Sequence, residues 1–299
     1  MAHDLVMKRR ILLLGCSGEI GSRLTLLLLD SGFEVFGVRG ARKCSITNAS
    51  HSCKQVDLLS ESVDIGFGDI KPEILVHTAW VTSPGEFWTS PMNHQWLNAS
   101  KRLIEFFESS GGKYIVVTGT CAEYTWGDRG VLDESSPELP SSVYGNSKLE
   151  LLNWLRGRTL PFLWTRTFFQ FGGNELTGRL IPSIIDSLLS GEEFVVRNGN
   201  DVRDFVFVDD VSRLLDNLIT KSSSGIFNLG TGAGIRIQNL AEMLGRMLLR
   251  EDLVKIESAD VPSSSIISNP AKLISVIGEF TWTPLEEALS KSITSRIYG

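Results

Sequence analysis

The chain has 299 residues, 42% of them hydrophobic and 21% charged, enough to bury a sizeable core and to build one large domain with a smaller lobe. A formal charge of -6 argues against a nucleic-acid or anionic-membrane surface, because each needs a basic face to neutralise phosphates. The cysteines Cys16, Cys44, Cys53 and Cys121 form no CxxC pair and no zinc spacing, so the chain reads as a reduced, cytoplasmic protein with neither a disulfide framework nor a metal site.

The start, MAHDLVMKRRILLLG, mimics a signal peptide. Only residues 11–14 are continuously apolar, however, and Glu19 and Arg23 interrupt the stretch beyond them, so no membrane span of about 20 residues can be drawn. Residues 11–15 (ILLLG) read as a strand and 19–30 as a helix. Strands are expected next at 33–38 (FEVFGV), 54–59 (KQVDLL) and 73–79 (EILVHTA). A long helix is expected over 91–109, a strand over 113–119 (KYIVVTG), a helix over 144–156 and a strand over 162–168 (FLWTRTF). Strands alternating with helices imply right-handed crossovers and a parallel sheet covered on both faces, a Rossmann-type doubly wound α/β fold. The continuous apolar character of ILLL and YIVV fits strands buried on both sides. After Phe171 the rhythm loosens, with a helix expected over 179–191. We therefore expect a first domain over 1–170, to which elements near 203–230 return, and a smaller α+β lobe over 171–299.

The stretch GCSGEIG places Gly15, Gly18 and Gly21 behind the first strand and at the start of a helix. In that setting glycines let backbone approach a pyrophosphate, and the free N–H groups of the helix start supply positive potential. Where the second strand ends, an acidic residue would normally bond the adenosine ribose 2′-hydroxyl of NAD. Arg39, Arg42 and Lys43 stand there instead, which suits the 2′-phosphate of NADP; the other reading is three solvated surface cations.

In SSVYGNSKLELL, Tyr144 and Lys148 stand four residues apart on one helical face. A lysine ammonium beside the phenol would lower its pKa and make it a usable proton donor and acceptor. Thr120 offers a hydroxyl at the end of the fifth strand, where the ligand crevice of an open sheet lies.

Together the glycine turn, VHTA, VVTGT, VYGNSK and RDFVFVDD resemble the extended short-chain dehydrogenase/reductase family, in its nucleotide-sugar epimerase, dehydratase and reductase branch. The resemblance spans nearly the whole chain. It implies NAD(P) in the first domain and a nucleoside-diphosphate sugar in the second lobe. It also implies Thr120 on the reacting sugar oxygen, Tyr144 as acid/base, and Lys148 holding the nicotinamide ribose. The implied cofactor contacts are Gly15, Ser17, Gly18, Glu19, Ile20, Gly21, Arg39, Arg42, Asp57, Leu58, His77 and Ala79, with Tyr144 and Lys148. Asp57 serves equally as a cap after a strand, and His77 as a packed residue. Arg203 matches an arginine that clamps the diphosphate, or else pairs with Asp201 or Asp204; Arg179, Cys121 and Glu123 complete the implied substrate contacts.

Departures from the family pattern narrow the activity. Phe169 replaces an asparagine that touches the diphosphate in many relatives. The Thr-Asp-Glu of 4,6-dehydratases is absent, with Glu123 one place late. Cys121 stands one place after Thr120, not two as in the epimerase-reductase that makes GDP-fucose, and is either a strand-end filler or an acid. The reading is an NADP(H)-dependent reductase of a 4-keto-6-deoxy sugar nucleotide. An NAD-dependent 4-epimerase and a non-catalytic dinucleotide sensor stay open. Apolar residues such as Leu103, Ile104, Phe106 and Phe107 on one long helix, and Leu149, Leu151, Leu152 and Leu155 on the next, are expected to pair across a two-fold axis as a homodimer.

Overall fold

Ile11 and Leu13 leave one side of the first strand and Leu12 and Leu14 the other, and each pair disappears into a different core. That two-residue alternation, apolar on both sides, makes this strand the centre of a sandwiched sheet. The computed structural model describes residues 9–44, 46–61, 67–127, 130–257 and 263–298. In chain order its first elements are β1 (Arg10–Leu14), α1 (Glu19–Asp30), β2 (Glu34–Arg39), β3 (His51–Gln55), the short α2 (Phe67–Ile70), β4 (Ile74–His77), α3 (Met92–Ser109), β5 (Tyr114–Thr120), β6 (Gly130–Leu132), α4 (Val143–Arg156) and β7 (Phe162–Thr167). They are followed by β8 (Phe169–Phe171), α5 (Leu180–Leu189), β9 (Phe194–Val196), β10 (Val202–Arg203), β11 (Phe205–Phe207), α6 (Val208–Thr220), β12 (Gly225–Leu229), β13 (Ile235–Arg236), α7 (Ile237–Leu248), β14 (Val254–Ile256), β15 (Ser265–Ser268), α8 (Ala271–Ile277) and α9 (Leu285–Tyr298).

Seven strands form one parallel sheet in the order β12-β7-β5-β4-β1-β2-β3. The chain works outward from β1 to β3, then crosses back to β4 on the other side. This switch opens a crevice beyond the carboxyl ends of β1 and β4, where open α/β sheets bind ligands. Helices α1 and α6 cover one face through Leu24, Leu28, Val211, Leu214, Leu215 and Leu218. Helices α3 and α4 cover the other through Leu97, Leu103, Ile104, Phe107, Leu151, Leu152 and Leu155. A third core joins α5, α7 and α9 through Ile181, Ile184, Ile185, Leu240, Leu244 and Leu289. Beside it lie the small sheet β13-β10-β15-β6 and the pairs β11-β8 and β14-β9.

Two expectations are corrected. The third strand ends at Gln55, so it begins earlier than KQVDLL and leaves Asp57 in the following turn, where its Oδ1 accepts Leu59 N at 3.0 Å. Parallel pairing selects this register, with Gly37 opposite Cys53. Most of the apolar residues assigned to a dimer face are consumed internally: Ile104, Phe107, Leu151, Leu152 and Leu155 are fully buried in the protomer's own core, and Leu103 nearly so. No helix among the described residues is long and apolar enough to cross a membrane.

Candidate active site

The glycine turn is fixed by sterics. Gly15 adopts φ +91°, and a Cβ there would lie 2.9 Å from the Ala79 nitrogen. A Cβ on Gly21 would sit 2.1 Å from the Gly15 carbonyl oxygen, so α1 starts hard against the turn. Gly15 N donates to Val38 O at 2.8 Å, tying the turn to the end of β2. Gly18 caps α1 with no side chain, which leaves the first N–H groups of the helix facing the crevice for an anion. These features fit a dinucleotide pyrophosphate.

A cavity of about 950 Å³ runs from this turn across the sheet ends, at the upper end of the range for ligand sites. Gly15, Ser17, Gly18, Glu19, Ile20, Gly21, Arg42, Asp57, Leu58 and Ala79 all line it. Arg39 does not; its Nη1 donates to Gln55 Oε1 at 2.9 Å and to the Gly40 carbonyl. Arg42 does line the cavity and pairs with Glu19 at 2.7 Å. His77 also stands off the wall, its Nε2 2.8 Å from Ser100 Oγ. Burial, and then the nearby Lys148 charge, push His77 down to about 3, so it is a neutral packed residue.

Thr120, Tyr144 and Lys148 come together on the opposite wall. Ser142 caps α4 by accepting Gly145 N, and Gly145 lets the helix press on the Ala122 carbonyl, where a Cβ would be 2.3 Å away. One turn separates Tyr144 from Lys148. The Tyr144 and Thr120 side chains both line the cavity, and the tyrosine ring is held edge-on by Phe87 and Trp88. Lys148 Nζ donates to the Thr118 carbonyl at 2.8 Å and lies 3.8 Å above the Trp80 ring.

Burial pushes Lys148 down to about 7, against the attraction of Glu123. The Tyr144 phenol is raised above its ordinary value, chiefly by burial, with the Thr120 hydrogen bond opposing. The expectation of a tyrosine lowered by its lysine is thus reversed in the free protein. The ammonium is engaged on a carbonyl and an indole face, and desolvation of the phenolate dominates.

The substrate-side residues divide. Cys121 and Arg179 line the cavity; Glu123 and Arg203 do not. Glu123 is fully buried, accepting from Thr120 N at 2.8 Å, from the Trp164 indole and from Arg166 Nε at 2.7 Å. Its place after the strand makes it a candidate acid, but its carboxylate serves as the anchor of Arg166. Arg203 is likewise occupied, on Asp201 at 2.7 Å and on the Ser264 hydroxyl and carbonyl, above the Phe169 ring. Burial pushes the Cys121 thiol up, so it stays protonated.

Among the aromatic residues near the sheet ends, Trp80, Trp88 and Trp96 line the cavity, while the Trp126 indole donates to the Cys121 carbonyl. Sequence reasoning missed Glu175, a cavity carboxyl only 7% exposed and pushed up to about 7 by burial. Nothing local in GGNELTG marks it, since its burial depends on the loop folding back over the crevice.

The family model described as the NAD-dependent epimerase/dehydratase family matches residues 11–230. The chain belongs to that family. It is 26% identical to the UDP-glucose 4-epimerase of Bacillus subtilis (strain 168), over 94% of this chain and 95% of that one. It is 24% identical to the GDP-6-deoxy-D-talose 4-dehydrogenase of Aggregatibacter actinomycetemcomitans, over 96% and 98% of the two chains. Among solved structures it superposes on MoeE5 in complex with UDP-glucuronic acid and NAD with a TM-score of 0.78, at 26% identity, covering 96% of this chain and 99% of that one.

Proposed function

We propose that the protein is an NADP(H)-dependent reductase acting on the 4-keto group of a nucleoside-diphosphate sugar. The carrying observation is the convergence of Thr120, Tyr144 and Lys148 on the cavity wall, with burial keeping the phenol above its ordinary pKa. A protonated phenol is the state needed to deliver a proton to a ketone oxygen as the carbon is reduced. The nicotinamide, when bound, supplies the hydride. Thr120 aligns the carbonyl oxygen, Tyr144 protonates it, and Lys148 holds the nicotinamide ribose. Water elimination finds no support, because Glu123 is committed to Arg166 and sealed away from the cavity.

The NADP preference rests on Arg42, a cavity-lining guanidinium beyond β2 with no acidic residue on that strand end. Arg42 would exchange Glu19 for the 2′-phosphate while Arg23 keeps Glu19 compensated. Arg179, on the cavity wall, is the cation for the substrate diphosphate in place of Arg203. We also propose a homodimer, and a division of labour with the cofactor mainly on residues 1–170 and the sugar mainly on 171–299.

Similarity to UDP-glucose 4-epimerases favours a second reading, transient oxidation and re-reduction at C4 with bound NAD by the same Thr120, Tyr144 and Lys148. Incubation with NADPH and a panel of 4-keto-6-deoxy sugar nucleotides separates the two. Stoichiometric loss of nicotinamide absorbance supports the reductase. Interconversion of UDP-glucose and UDP-galactose without net cofactor change supports the epimerase.

A further inference from the structure

Three of the four cysteines, scattered over residues 16 to 53, converge behind the glycine turn. Cys16 follows Gly15, Cys53 lies in β3 opposite Gly37, and Cys44 sits in the loop between β2 and β3. Their sulfur atoms all lie within 4.8 Å of one another, with Cys16 and Cys53 at 3.3 Å. The place is shaped for them: a Cβ on Gly37 would stand 2.6 Å from Cys16 Sγ, so only glycine leaves room for that thiol. His51, at the start of β3, flanks the cluster beside Cys44, its Nε2 3.4 Å from Cys44 Sγ. Its Nδ1 lies 3.0 Å from the Val35 carbonyl, an acceptor only, so Nδ1 carries the proton and Nε2 presents its lone pair to the sulfur. This backbone-fixed tautomer is the form in which histidine ligates metals.

We propose that Cys16, Cys44 and Cys53 form a zinc site, with His51 as the fourth ligand, bracing the phosphate-binding turn against β3. A zinc–thiolate bond of about 2.3 Å in tetrahedral geometry sets sulfurs about 3.8 Å apart. The observed sulfur separations, 3.3 Å for Cys16 and Cys53 and no more than 4.8 Å for the others, leave room for that spacing. Each thiol releases its proton to solvent as its sulfur–zinc bond forms; His51 binds neutral, and no electron is transferred. Soft thiolates select zinc over magnesium or calcium. The site would couple the turn carrying Gly15 and Gly18 to β3 and the loop before it, adding to the Arg42–Glu19 ion pair from that loop.

The test uses the full chain, reduced and freed of metal by a chelator, then titrated with cobalt(II) as a spectroscopic stand-in and with zinc in competition. We expect one equivalent of cobalt, thiolate-to-cobalt charge-transfer absorption, tetrahedral ligand-field bands and displacement by one zinc. Cys44→Ser and Cys53→Ser should diminish the charge-transfer signal or lose the stoichiometry, His51→Gln should weaken zinc binding, and Cys121→Ser should leave the titration unchanged. Circular dichroism of each variant separates loss of a ligand from loss of the fold, and the wild-type titration needs no variant. Absence of the charge-transfer band in the reduced wild type, or its survival at undiminished intensity in folded Cys53→Ser, overturns the proposal. So does a Cys16–Cys53 disulfide that forms equally fast with and without zinc.

Discussion

Tyr144 shares the cavity wall with Thr120 and has its ring gripped by Phe87 and Trp88, so removing the hydroxyl takes away the proton donor and leaves the packing in place. Tyr144→Phe should lower turnover on an accepted keto-sugar by roughly 10²–10⁴ with cofactor binding retained. Thr120→Val should also slow turnover at nearly unchanged volume. Wild-type turnover in Tyr144→Phe would move the acid elsewhere, with Cys121 the next group on the wall. The basic loop after β2 allows a sharper experiment than its sequence does, because the structure parts its two arginines. Arg42 lines the cavity while Arg39 is spent on Gln55 and the Gly40 carbonyl. Arg42→Ala should therefore weaken NADPH binding by roughly 1–2 kcal/mol, a charged hydrogen bond discounted for half exposure, and spare NADH. Arg39→Ala should weaken both cofactors slightly and equally. Isothermal titration with the two cofactors decides, and an NADPH-selective loss in Arg39→Ala would reassign the role.

At the scale of elements, the link between β5 and β7 is electrostatic as well as backbone-paired. Glu123 follows β5, Arg166 lies in β7, and both side chains are fully buried. Glu123→Gln leaves the buried guanidinium with Glu138 as its remaining carboxylate partner, and should cost no more than the about 3–5 kcal/mol of a broken buried pair in urea unfolding. Unchanged stability with lost turnover would return Glu123 to the chemistry. The loop after β8 carries the complementary case. Burial raises Glu175 from 4.5 to about 7, so the folded state holds its proton more tightly than the unfolded chain does. The corresponding stability is fully present below pH 4.5 and lost as pH rises through about 7. Glu175→Gln removes the titration, and should gain roughly 1–3 kcal/mol over the wild type at about pH 8 relative to about pH 5. A pH-independent difference between the two proteins would contradict this.

These two carboxylates also show where sequence stops being informative. The glycine turn and the Tyr144–Lys148 spacing are local, written within one turn or helix, and so are legible in the chain itself. Glu123 takes its role from Arg166, Arg203 is drawn off by Ser264, and the thiols of Cys16 and Cys53 meet across a sheet register that only strand pairing sets. Glu123 and the two thiols suit other roles when taken alone, because their partners lie dozens of residues away, whereas the Asp201 partner of Arg203 is local and legible.

For the molecule as a whole, the phosphate-binding turn and α1 are tied both to the loop after β8 and to α6, their neighbour on the same face of the sheet. Glu19 Oε2 accepts Asn174 N at 3.1 Å, and Arg23 pairs with Asp209 at the start of α6. Assembly has less to draw on. The apolar spacing of α3 and α4 suggests a bundle face, yet most of those side chains fill the protomer's core. On the outer surface Phe106, 51% exposed, stands beside Glu105, with the Lys101–Glu150 ion pair nearby on the same two helices. A two-fold bundle over that surface would have an aromatic anchor in a charged rim. Its area would be modest, since the 18-residue α3 is only about 27 Å long and a standard interface buries about 800 Å² per partner. A dimer formed this way should dissociate measurably near micromolar concentration, and Phe106→Glu should convert it to a monomer while leaving NADPH binding intact. Light scattering across a concentration series tests this. A dimer that persists in Phe106→Glu would place the two-fold axis on another surface, and a wild type monomeric at every concentration would remove the dimer altogether.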